Sequence, residues 1–170
     1  MPVANTVMIN SGTDCRPQRP PLYTDAERTR RNATVWTRVQ GVLAPLQFAV
    51  FLVSVALVLR YLYSGIGYEA ATLSIIVKTA VLLTIMVTGA IWEKTVFGQY
   101  LFAPPFFWED VFSFAVIALH LAYVAALLTD ALAPVGLMYL ALAAYAAYVV
   151  NATQFLWKLR LARLDAEGRT

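Results

Sequence analysis

The sequence predicts an all-α integral membrane protein with four transmembrane helices and both termini in the cytoplasm. Three observations carry this. Of 170 residues, 60% are hydrophobic and the mean hydropathy is +0.64, against roughly 45–50% apolar residues in a soluble domain. The apolar residues form four long runs. No charge lies between Arg38 and Arg60, Lys78 is the only one between Glu69 and Glu93, and residues 111–129 and 131–157 carry none. Each run reaches the about 20 helical residues that cross about 30 Å of hydrocarbon. Finally, Lys and Arg gather in the flanks: Arg16, Arg19, Arg28, Arg30, Arg31 and Arg38 precede the first run, and Lys158, Arg160, Arg163 and Arg169 follow the last. The positive-inside rule turns both flanks to the cytoplasm.

In chain order, residues 1–22 read as a disordered leader rich in Pro and Arg ("CRPQRPPLY"). The first 35 residues hold no apolar core of a secretory signal. Residues 23–40 form a short basic surface helix, started by the capping box "TDAE" (Thr24 to Glu27), with Trp36 at the headgroups. A solvated charged leader is the competing reading of that segment. Residues 41–158 form the transmembrane domain, with spans at about 42–62, 70–92, 111–129 and 134–157, and residues 159–170 a basic cytoplasmic tail. The single Cys15 leaves no intrachain disulfide and no Cys-based metal site. The net charge of +3 comes from the flanks, so it reports topology and not nucleic-acid binding.

The segment joining spans two and three, "WEKTVFGQYLFAPPFFWED", is unlike a plain connection. It sets Glu93, Glu109 and Asp110 among Trp92, Trp108, five further aromatics that include Tyr100, and a Pro-Pro pair. Its position after the second span places it on the cytoplasmic side. Helix-end carboxylates in water and interface-belt tryptophans are the plain alternatives. Polar groups inside the spans cost several kcal/mol unless partnered, so they mark interior faces. Span two has Ser74 and Lys78, which an outward-reaching stem would otherwise explain. Span three has the only histidine, His120, eleven residues and three turns after Glu109, with Ser113 and Tyr123 on the same face. Span four has Tyr145, Tyr148, Asn151 and Gln154 at steps of three, ending near Lys158. Helix glue is the competing reading of that ladder.

The residues exclude much. One histidine does not make a bis-histidine haem site, and nothing supplies zinc spacing. No phosphate cradle or dinucleotide fingerprint is present. What remains is acid–base chemistry in an aromatic pocket, or binding of a flat amphiphile.

"MVTGAIWEKTVFGQYLFAPPFFWEDVFS", with "WTRVQGVLAPLQFAVFLVS" before it and "LALAAYAAYVVNATQFLWKLRLARL" after, resembles the 3-vinyl bacteriochlorophyllide hydratase family of bacteriochlorophyll biosynthesis. The likeness runs from about Leu22 to Leu164. It implies a hydro-lyase that adds water to the 3-vinyl group of chlorophyllide a or a 3-vinyl bacteriochlorophyllide, with no cofactor. It also implies a bacterial inner or intracytoplasmic photosynthetic membrane and the company of other pigment-biosynthesis enzymes. Hydrating a vinyl group needs an acid, a positioned water and negative charge near the cation. A carboxylic acid in an apolar collar can keep its proton near neutral pH. Glu93, Glu109 and Asp110 are therefore the expected catalytic groups, with Glu93 and Glu109 facing each other. His120, Lys78, Trp92, Trp108, Tyr100, Tyr148 and Asn151 are the expected substrate contacts. His120 stands either as axial ligand to the substrate magnesium or as a relay, and the protein holds no metal of its own. The rival readings are a pigment carrier or assembly factor built on His120, and a small transporter.

Overall fold

The computed structural model describes residues 22–167, which are helical throughout apart from short connections. The helices are α1 (Asp25–Ala33), α2 (Val35–Ser64), α3 (Tyr68–Phe97), α4 (Phe107–Leu128) and α5 (Pro134–Glu167). Helices α2 to α5 are long and apolar enough to cross a membrane. The leader assigned to residues 1–22, with its Cys15, lies outside the described residues except for Leu22.

Thr24 caps α1 through both halves of the box: its Oγ1 accepts from Glu27 N, and its own N–H donates to Glu27 Oε2 at 2.8 Å. The helix stops at Ala33 and does not run to residue 40. Thr34 turns extended (ψ 140°), and its hydroxyl accepts from Trp36 N to start α2. Trp36 thus belongs to the first long helix. At the other end the basic tail is no separate element, since α5 continues to Glu167. Pro45 sits inside α2, where neighbouring helices and side chains can satisfy the freed carbonyl.

Helix α2 packs chiefly on α3 and α4 on α5, while α2–α5 and α3–α4 contacts close the ring. Connections this short make sequence neighbours antiparallel. Lipid tails are as apolar as leucine, so close packing and cross-helix hydrogen bonds must hold the bundle. Small residues such as Ala71 and Ala141 lie fully buried beside Ile75, Val116 and Met138. Ser54 of α2 bonds Ser74 of α3 at 2.7 Å and Tyr145 of α5 at 2.5 Å. Asn151 of α5 donates to Ser113 of α4 at 2.9 Å. Such bonds are worth about 0.6 kcal/mol each on average.

Lys78 is completely buried, so its stem does not reach outward; its ammonium lies 3.7 Å from the Tyr148 ring centroid and has no hydrogen-bond partner. Gly98 ends α3 at φ 86°, its N–H donating to Lys94 O. That left-handed conformation costs a residue with a Cβ about 1–2 kcal/mol.

Two stability outcomes follow from these positions. Gly98→Ala should lose about 1 kcal/mol, read as a lower unfolding midpoint in detergent. Lys78→Met keeps the stem and removes an unpaired buried charge, so the same measurement should give a raised midpoint.

Candidate active site

The connection between α3 and α4 folds back on itself. Phe106 N donates to Ala103 O at 2.7 Å, closing a turn over Pro104 and Pro105. This brings the last turn of α3, with Glu93, against the first turn of α4, with Glu109 and Asp110. All three acids are buried, at 5%, 6% and 4% exposure, so they are not helix-end charges in water.

Glu93 Oε2 accepts from Ala103 N at 3.1 Å, and Asp110 Oδ2 from Phe102 N at 2.6 Å. The second bond holds Phe102 at φ 59°, where its ring stacks on Phe114 with centroids 5.6 Å apart. The Glu93 and Asp110 carboxyls also stand within hydrogen-bond reach of each other. Two carboxyl groups can bond only if one of them donates a proton. Glu109 lies elsewhere: its Oε2 meets Lys158 Nζ at 2.5 Å, and the same ammonium donates to Pro105 O.

The facing pair is therefore Glu93 with Asp110, and not Glu93 with Glu109 as the sequence reading had it. Adjacent helical residues project about 100° apart, so only one of two neighbouring acids can face α3. Sequence reasoning left Lys158 out of the candidates. Its signal was its place one turn beyond Gln154, at the end of the polar ladder on the fourth run.

Aromatic rings cluster at the same end of the bundle. Tyr23, Trp92, Phe97, Phe106 and Phe155 pack with centroids 5.7–6.4 Å apart. Trp92 Nε1 donates to Thr37 Oγ1 at 2.9 Å, and Arg30 Nε to Val96 O at 2.8 Å, so α1 and the start of α2 brace this end of α3. Burial pushes the Tyr23 phenol pKa up, and the neighbouring Arg31 guanidinium opposes the shift. Trp108 and Tyr100 stand apart, 67% and 61% exposed. Beside the acids a cleft of about 290 Å³ opens between α4 and α5, lined by Glu109, Thr153, Gln154, Trp157, Lys158 and Leu161.

The other expected contacts sit deeper. His120 lies ten residues beyond Asp110, about 15 Å along the helix axis. Its Nδ1 donates to Val116 O at 2.8 Å, which leaves Nε2 as an acceptor without a partner. His120, Lys78, Tyr148 and the Asn151–Ser113 pair form a buried group below the acids and do not join them.

Comparison with known proteins gives a consistent result. The model of the 2-vinyl bacteriochlorophyllide hydratase family matches residues 23–161. A protein of that name from Rhodobacter capsulatus is 68% identical over 151 residues, covering 88% of this chain and 87% of the relative. One from Cereibacter sphaeroides is 70% identical over 148 residues, covering 86% and 91%. No solved structure matches. The family name numbers the vinyl position 2 where the sequence reading numbers it 3. The matched region contains α2 to α4, α5 as far as Leu161 and all three buried acids, and the chain belongs to the 2-vinyl bacteriochlorophyllide hydratase family.

Proposed function

We infer that the chain hydrates the ring vinyl group of a bacteriochlorophyllide or chlorophyllide to a 1-hydroxyethyl group. The observation that carries the site assignment is the buried Glu93–Asp110 carboxyl pair, each member tied to a loop amide at the end of the bundle where the aromatic rings cluster. Glu109, held against the Lys158 ammonium, is the opposite kind of carboxyl. Two carboxyl environments that differ in this way divide the acid and base roles.

The proton shared by Glu93 and Asp110 is delivered to the terminal vinyl carbon. The π pair forms the new C–H bond, and positive charge develops on the carbon next to the macrocycle, which delocalises it. Glu109, which alone of the three acids lines the cleft, orients a water there. As the C–O bond forms, the water's proton passes to Glu109 and from there back to the pair. The net change is addition of one water, with no oxidant or reductant. The aromatic collar of Trp92, Phe97 and Phe106 excludes bulk water that would intercept the cation elsewhere.

The remaining contacts take supporting places. Trp108 and Tyr100, exposed at the mouth, meet the macrocycle as it arrives from the headgroup region. Both termini and the catalytic end face the cytoplasm of the bacterial inner or photosynthetic membrane, with α1 lying on its surface. The unpartnered Nε2 of His120 favours a second reading, a pigment carrier that ligates the magnesium of its cargo. The 15 Å between His120 and the acids keeps such a ligand role apart from the chemistry at Glu93 and Asp110.

Membranes containing this chain and no other enzyme of the pathway should convert chlorophyllide a to a product heavier by one water. Glu93→Gln and Asp110→Asn should each lower the rate by about a hundredfold or more. Glu109→Gln should lower kcat similarly, and Trp108→Leu should change it less than about threefold. Pigment that co-purifies but returns unchanged would replace the hydratase with the carrier. Full rates in all three acid variants would keep the reaction and remove these residues from it.

A further inference from the structure

We propose that Lys158 is a specificity-determining residue that receives the propionate carboxylate of the pigment, so that the reaction is restricted to the free acid. This rests on the hydratase reading above and adds which edge of the substrate is read and by what.

The ammonium of Lys158 has three hydrogens. Glu109 Oε2 and Pro105 O occupy two of them. The side chain keeps 23% of its surface and lines the cleft beside Glu109. Two acceptors and the Phe106 ring, 5.1 Å away, leave the ammonium one hydrogen short of full hydrogen bonding, on a side chain that lines the cleft. The position is unusual in composition as well. Residues 131–157 are uncharged, so Lys158 is the first cation of α5, placed where the apolar run ends. One turn inward, Gln154 also lines the cleft, and its Oε1 is buried without a partner. Trp157 and Leu161 supply an almost wholly apolar wall between these groups.

The cleft thus pairs an apolar, partly aromatic surface with a single cationic donor at its rim. A bacteriochlorophyllide has the complementary form, a flat apolar macrocycle with one free propionate. Seating that carboxylate on Lys158 also puts the macrocycle edge beside Glu109, which is one residue from Asp110. The arriving carboxylate shares the cation with Glu109, so the contact rests on the hydrogen bond as well as on charge. Esterifying the propionate would leave the ammonium facing a neutral, weaker acceptor.

The experiment compares chlorophyllide a with its methyl ester, which removes the charge and adds little bulk. Wild-type membranes should show a KM for the free acid about tenfold or more below that for the ester, the range of a charge-assisted hydrogen bond. Lys158→Met should bring the free-acid and ester KM values together, over and above any loss common to both pigments from releasing Glu109 and Pro105. Lys158→Arg should keep the preference. Quenching of tryptophan fluorescence by the two pigments measures the same discrimination as binding, independent of turnover. Equal losses for acid and ester in Lys158→Met would make the lysine a mere anchor for Glu109 and Pro105 and overturn the proposal. So would a preference that survives the substitution. Hydration of neither pigment by the wild-type chain would overturn the hydratase reading itself, and the binding comparison would still decide on Lys158.

Discussion

The carboxyls of Glu93 and Asp110 cannot leave the α3–α4 connection without stranding two backbone amides, those of Ala103 and Phe102, in an apolar setting. An unmade hydrogen bond there costs about 1–3 kcal/mol per group, more when the partner is charged. This constraint organises the end of the bundle. It fixes the loop in a conformation that puts Phe102 at positive φ and closes a turn over Pro104 and Pro105. It also keeps two carboxyls together that would separate if both were ionised. The loop and the acids hold each other in place through these two bonds.

A second tie comes from the far end of the chain. Lys158 reaches from α5 to Glu109 and to the carbonyl of Pro105, so the loop is held from the α5 side as well. Helix α1 closes the opposite side through Tyr23, which packs on Phe97 and Phe106, and through Arg30 on Val96 O. Elements from both ends of the described chain thus converge on one short connection. The three buried acids sit where they meet, and the cleft between α4 and α5 reaches one of them, Glu109.

The bundle below has a different character. Its interior carries polar groups with few partners among the protein's own atoms: Lys78, His120 and Gln47 are buried with unpaired nitrogens or oxygens. A protein held together only by packing would have shed such groups, since each is costly in hydrocarbon. The Ser54–Ser74–Tyr145 and Ser113–Asn151 bonds show how the rest of that interior is satisfied, helix to helix. The two polar regions, one acidic at the helix ends and one mixed in the middle, are about three helical turns apart on α4.

How much of this was legible from residues alone divides along a physical line. Span number followed from uncharged run length, because the bilayer thickness imposes about 20 residues per crossing whatever the fold. The α1 start followed from a four-residue capping box, and the site segment from acids placed where composition had no structural use for them. Those are local facts, and the sequence by itself determined them. The partner of each acid was not local. Glu109 and Asp110 are adjacent, and the choice between them for Glu93 depends on a helix rotation of about 100°. That rotation is decided by how α4 packs on α5 and by where the loop offers its amides. Lys158 entered the site for the same reason, since its contact with Glu109 spans 49 positions and arises only when α5 folds back beside α4. The sequence determined the family of the chain and the segment that carries its clustered acids; only the tertiary structure decided which carboxyls lie side by side and which one holds a cation.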